Sequence, residues 1–115
     1  MGHIPHPSAY FSSDIITALR SHSAAAEKEG KFCREQLAIL YEQNWFKILV
    51  PKVYGGVQLS LPEVVKLEEA LSWIDGSVGW VVTLCAGAGW FGGFLRPELA
   101  KDILTQQKLC ICGSG

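Results

Sequence analysis

A chain of 115 residues is long enough for one domain with one sizeable core and too short for two of ordinary size. Its 10 basic and 11 acidic side chains give a formal net charge of -1, so no basic footprint marks it as a binder of nucleic acid or of an anionic membrane. Hydrophobic residues make up 49% and charged residues 18%, below the roughly 25% of an average soluble domain, which excludes intrinsic disorder and predicts apolar surface buried against another domain or a second copy.

Residues 1–8 read as a disordered lead-in. They lack the basic start and apolar run of a secretory signal. His3 and His6 are spaced like metal ligands but flank Pro5 and Pro7; they, and His22 on a polar helix surface, are expected to be solvated. A first helix is predicted over 8–29, where Phe11, Ile15, Ala18 and Leu19 recur at helical spacing and Gly30 supplies a stop. A second is predicted over 33–44, with Leu37, Leu40 and Tyr41 on one face. Residues 45–50 are apolar but irregular, and Pro51 closes them. In Tyr54-Gly55-Gly56 the adjacent glycines permit positive φ.

Ser60-Leu61-Pro62-Glu63 has the form of a helix start, with a serine cap, a proline in the first turn and a glutamate placed for a capping box. The third helix runs to about residue 74 along a stripe of Val64, Leu67, Leu71 and Ile74. Asp75 then offers a cap for the next helix rather than an acid–base group. Glu68 and Glu69 are expected to reach solvent. A short helix is predicted over 96–104, and residues 109–115 read as the first strand of a further unit.

Cys33, Cys85, Cys110 and Cys112 lie among aliphatic residues with no C-x-x-C pair, which predicts buried thiols without a metal or redox role in a reducing, cytoplasmic setting. In a strand, Cys110 and Cys112 would project to one face.

Residues 76–95 carry no charge. A membrane span has about this length, but glycines interrupt the segment, and Trp80 and Trp90 do not form two interfacial belts. Gly87-Ala88-Gly89-Trp90-Phe91-Gly92 matches G-x-G-x-x-G, yet bulky aromatics fill the helix start and no acidic residue ends a following strand. The favoured reading is a central helix, apolar all round because other helices surround it. The fold expected is therefore all-α, a bundle of about five helices around that central helix, ending in the start of a β-strand.

Several separated motifs resemble the acyl-CoA dehydrogenase family. The passage from Glu35 through Ile39-Leu40-Tyr41-Glu42-Gln43-Asn44-Trp45-Phe46 to Pro51-Lys52-Val53-Tyr54-Gly55-Gly56 is similar to that family's early helix followed by P-x-x-Y-G-G. Asp75-Gly76-Ser77-Val78-Gly79-Trp80 resembles its D-x-S-x-G-W helix start, and Arg96-Pro97-Glu98-Leu99-Ala100-Lys101 its short helix before the middle domain.

The resemblance implies an N-terminal helical domain over residues 9–108. Its partners would be a middle β-domain, beginning at 109–115, and a C-terminal helical domain of the same polypeptide. It implies FAD held in the full-length protein but not by these residues, an acyl-CoA or other small-molecule substrate, and a homo-oligomer with no membrane span. It places no catalytic, cofactor-binding or metal-binding residue in this chain. What it assigns here is one wall of the substrate pocket, at Trp80, Val81 and Leu84, as part of FAD-dependent α,β-oxidation of acyl-CoA thioesters. A tryptophan at position 80 also suits related flavin-dependent monooxygenases, where it would stack on a ring substrate. A self-contained helical interaction module is the remaining alternative.

Overall fold

In the computed structural model, which describes residues 5–111, the first turn of backbone forms two residues ahead of the expected domain start. Pro7–Tyr10 is a 3-10 turn, capped by His6, whose Nδ1 accepts from the Ser8 amide at 3.2 Å. The helix predicted over 8–29 is two. Ser12 caps α1 (Ser13–Ser21) by accepting from the Ile15 amide at 3.3 Å. His22 breaks the rod, and α2 (Ser23–Glu29) ends on Gly30 at φ +72°. His22 therefore sits, half-buried, at a junction rather than on the polar surface of a continuous helix.

Helix α3 (Arg34–Glu42) follows, and Asn44 turns the chain at φ 57° into a 3-10 turn, Trp45–Lys47. Residues 47–59 fold back on themselves: the Val57 amide donates to Lys47 O at 3.0 Å and the Leu59 amide to Ile48 O at 2.8 Å. Of the adjacent glycines only Gly55 uses positive φ, at 83°. Gly56 is needed for a different reason, since a Cβ there would lie 2.0 Å from the Val50 carbonyl oxygen.

Helix α4 (Leu61–Ile74) begins with the expected reciprocal box: Ser60 Oγ accepts from the Glu63 amide, and Glu63 Oε1 accepts from the Ser60 amide, both at 3.4 Å. At its other end Arg20 of α1 donates to the carbonyls of Trp73 and Ile74, each at 3.2 Å, and its guanidinium lies 4.3 Å from the Trp73 ring centroid. That contact satisfies last-turn carbonyls with a cation at the negative end of the helix.

Helix α5 (Gly76–Trp90) starts one residue after α4 ends, with Asp75 accepting from the Val78 amide at 3.0 Å as its cap. Ser72 meets Gly79 and Glu68 meets Thr83, so α4 and α5 run antiparallel. A 3-10 turn, Phe91–Phe94, leads to α6 (Pro97–Leu104).

Leu19, Leu40, Phe46, Leu71, Val78 and Val82 are central to the main core, and Val50, Ala100, Leu104 and Leu109 make a smaller one under α6. The fold is all-α, with six α-helices among the described residues. Residues 109–111 form no strand, and 112–115, including Cys112, lie outside the described residues, so the facing thiols expected at 110 and 112 do too. The strand and parallel sheet required by the dinucleotide reading are replaced by helix across residues 81–90. No helix among the described residues is long and apolar enough to cross a membrane.

One expectation needs correction. Helix α5 is apolar all round, but neighbours enclose only one side of it. Val78, Gly79, Val82, Cys85, Ala86 and Gly89 are buried, while Trp80 and Leu84 are 65% and 47% exposed. At 100° per residue the two sets point in opposite directions. Small side chains line the inner face because α4 and the Trp45–Lys47 turn come close. A Cβ at Gly79 would lie 2.8 Å from Ser72 Cα, whereas one at Gly89 would make only ordinary contacts, 3.4 Å from Val50 Cγ2 and 3.7 Å from Phe46 O.

Candidate functional site

Three surfaces meet along α5. Its outward face carries Trp80 and Leu84 one turn apart, continued past Gly87 to the exposed Phe91. On one flank Val81 and Ser77 border an open cleft of about 650 Å³, whose other walls are α2, the α2–α3 loop and the first turns of α3, with Cys110 at its edge. On the opposite flank Trp90 and Phe94 border a shallower groove of about 330 Å³ with Leu49, Pro51, Leu59 and Leu61. Trp90 packs edge-on against Phe91 and Phe94 at 5.1 and 5.3 Å between ring centroids.

The residues singled out in the sequence are therefore divided between two surfaces. Val81 lines the larger cleft, whereas Trp80 and Leu84 stand beside it on the outward face. They are neighbours on one helix but not walls of one cavity within this chain.

Of the polar groups at the cleft, Asp75 and Ser23 are committed to structure, while Glu27, Lys31 and Ser77 also line it. The Asp75 carboxylate caps α5 and receives the Ser23 hydroxyl, which also faces Leu19 O at 3.1 Å. Asp75 thus caps α5, as the capping reading anticipates, and through Ser23 adds a tie between α2 and α5 that no local pattern encodes. Glu69 is exposed, but Glu68 is half-buried against α5, contrary to the expectation that both reach solvent. Burial pushes the Glu68 carboxyl above its ordinary range, and a hydrogen bond with Thr83 pulls it partly back. Its contact is with the α4–α5 seam, away from the cleft.

The cysteines are less uniformly buried than their aliphatic neighbours suggest. Cys85 is buried with its sulfur 3.5 Å from that of Cys110, Cys33 is half-buried at the head of α3, and Cys110 is exposed.

The residues that match G-x-G-x-x-G do not fit a flavin or nicotinamide pyrophosphate. Gly87 and Gly89 lie inside α5 and Gly92 in the 3-10 turn beyond it, so no strand-to-helix turn presents free amides. The N-terminus of α5 is already occupied by the Asp75 carboxylate. A side-chain surface made of Trp80, Leu84 and Phe91 can pack on a planar or aliphatic group but offers it no charge.

A profile of the acyl-CoA dehydrogenase N-terminal domain matches residues 15–100. The chain belongs to this family. Among its curated relatives, a pigment production hydroxylase of Rhodococcus sp. is 22% identical over 81% of this chain and 24% of its own length. An indole-3-acetate monooxygenase of Acinetobacter baumannii is 31% identical over 77% of this chain and 23% of its own. The oxygenase component of an FADH(2)-dependent resorcinol hydroxylase of Rhizobium sp. is 25% identical over 87% and 25%. The chain thus spans about a quarter of the length of these relatives. No solved structure matches significantly.

What the sequence left unseen is the outward aromatic set at Trp90, Phe91 and Phe94. The signal was present as a period in side-chain size rather than in hydrophobicity. Along 78–91 the buried positions hold valine, glycine, cysteine and alanine, while Trp80, Leu84 and Phe91 share the outward side with Gly87.

Proposed function

We propose that this chain is the N-terminal helical domain of a reduced-flavin-dependent monooxygenase acting on a small ring-containing substrate. In this reading Trp80 and Leu84, on the outward face of α5, form one wall of a substrate pocket that the other domains complete, and Val81 lies at its margin, where that face turns towards the cleft. The observation that carries it is the exposed indole of Trp80 in the second turn of α5. An indole stacks well on a ring and narrows any tunnel meant for a straight acyl chain. The three relatives, named as hydroxylases or monooxygenases, support the same choice.

Reduced flavin and dioxygen would supply the oxygen atom for hydroxylation, with water and oxidised flavin as the other products. The flavin would be held by polypeptide outside these residues, since the described residues that match G-x-G-x-x-G form no pyrophosphate cradle. This chain's own part is to exclude water from one side of the substrate and to orient it by apolar contact, which lowers the entropic share of the barrier. The remaining domains would cover the outward face of α5. Acyl-CoA oxidation is the second reading, favoured by the name of the matching family.

Full-length protein supplied with reduced flavin, oxygen and a panel of phenols and indoles should yield hydroxylated product. Replacing Trp80→Ala should raise KM for the ring substrate by about tenfold, the equivalent of roughly 1.4 kcal/mol of lost stacking. Acyl-CoA-dependent dye reduction without ring hydroxylation would overturn this reading in favour of the second.

A further inference from the structure

Three side chains of metal-binding type, none of them lining the cleft, converge where α1, α2 and α3 meet. A ring nitrogen of His22, the sulfur of Cys33 and a carboxylate oxygen of Glu35 all lie within 4.8 Å of one another. His22 and Cys33 are half-buried and Glu35 is exposed. They come from two separate backbone features, the break between α1 and α2 and the head of α3, so helical spacing alone does not bring them together.

We propose that His22, Cys33 and Glu35 bind a divalent transition metal, zinc by preference, which clamps the α2 segment onto α1 and α3. An imidazole, a thiolate and a carboxylate form a borderline donor set that suits zinc, with water as the fourth ligand, and does not suit the all-oxygen preference of calcium or magnesium. With metal–ligand bonds of about 2.0–2.3 Å, tetrahedral donors stand roughly 3.3–3.8 Å apart, so side-chain rotation has to close about 1 Å. On binding, the Cys33 thiol loses its proton to solvent as the sulfur–metal bond replaces a metal-bound water.

The backbone around the three donors is already fixed. Gln36, fully buried, accepts from the Cys33 amide through Oε1 at 3.1 Å and donates through Nε2 to Leu19 O at 3.5 Å. That side chain ties the head of α3 to the end of α1, three residues before His22. Helix α2 itself has only seven residues and buries none of them. Isolated helices shorter than about 12–15 residues are marginal in water, so α2 depends on ties to its neighbours; the Ser23–Asp75 hydrogen bond holds its first residue, and the metal would add a second tie. The proposed donors bracket it, His22 at its start and Cys33 just beyond its end. Because Ala26, Gly30 and Phe32 of this segment line the large cleft, the metal would also set the shape of that wall.

The test uses cobalt(II) as a probe in the metal-stripped, reduced full-length protein. Stoichiometric binding should produce a thiolate-to-cobalt charge-transfer band and tetrahedral visible bands, both displaced by zinc. Cys33→Ser should abolish the charge-transfer band. Serine is among the preferred residues at a helix N-cap, the position Cys33 holds in α3, so the variant is expected to fold. His22→Ala should weaken binding by about tenfold or more. Zinc should also slow amide hydrogen exchange across residues 22–33 in the parent protein and not in Cys33→Ser. Failure to produce the thiolate band, or a band that persists in Cys33→Ser, would overturn the proposal.

Discussion

Two glycine-to-alanine exchanges on α5 should move stability in opposite directions. In a helix interior, alanine gains about 1 kcal/mol over glycine through backbone entropy. At Gly87 an added Cβ meets nothing within 4 Å, so Gly87→Ala should stabilise by about 0.5–1 kcal/mol. At Gly79 the same atom would lie 2.0 Å from Ser72 Oγ and 2.8 Å from both Cα and Cβ of Ser72. The hydroxyl can rotate away, but the Cα cannot, so α4 and α5 must move apart and loosen Leu71, Val78 and Val82. Overpacking of this kind costs about 1–3 kcal/mol. The two variants should therefore differ by about 1.5–4 kcal/mol, or roughly 7–20 °C in Tm for a domain of this size. Urea and thermal unfolding followed by helical circular dichroism would read the difference. Adding Ser72→Gly to Gly79→Ala should recover only part of the loss, because the contact with the Ser72 Cα remains. Equal stability of Gly79→Ala and Gly87→Ala would refute the close approach of the two helices.

Removing the α5 cap by Asp75→Ala should cost about 1–2 kcal/mol, read as a lower urea midpoint with an unchanged slope; an unchanged midpoint would contradict the cap and its tie to Ser23. Glu68 should make stability fall as pH rises. Its folded-state pKa is raised by burial, so between the ordinary carboxylate value and the raised one the folded state holds more protons than the unfolded state, and the full penalty is present above that window. Glu68→Gln should therefore match the parent near pH 4 and be increasingly more stable towards pH 7, and a pH-independent gap would count against this account.

Helix starts were the most readable part of the sequence, because their signals are local. Ser60 with Glu63, and Asp75 ahead of Gly76, specify their caps within four residues, and the structure places both as read. The break at His22 was hidden by continuous helical spacing from Phe11 to Leu19 and by the run of alanines after it. What divides the rod is tertiary: Ser23 is drawn to Asp75, 52 positions away. The pocket-wall residues were named together because they are consecutive on one helix. Their separation depends on which side of α5 is covered, and uniform hydrophobicity around that helix conceals it. The exposure of Cys110 likewise depends on packing at the end of the described chain, which its aliphatic neighbours do not encode.

The size asymmetry of α5 has an evolutionary consequence. Its contact with α4 depends on a glycine that cannot be exchanged freely, whereas positions 80 and 84 project large exposed groups, as does position 91, whose ring touches Trp90 and Phe94. Surface exchanges of that kind usually change stability by no more than about 0.5 kcal/mol. A lineage could therefore trade indole for phenyl or aliphatic groups on the outward row and meet new ligands while the scaffold beneath stays unaltered.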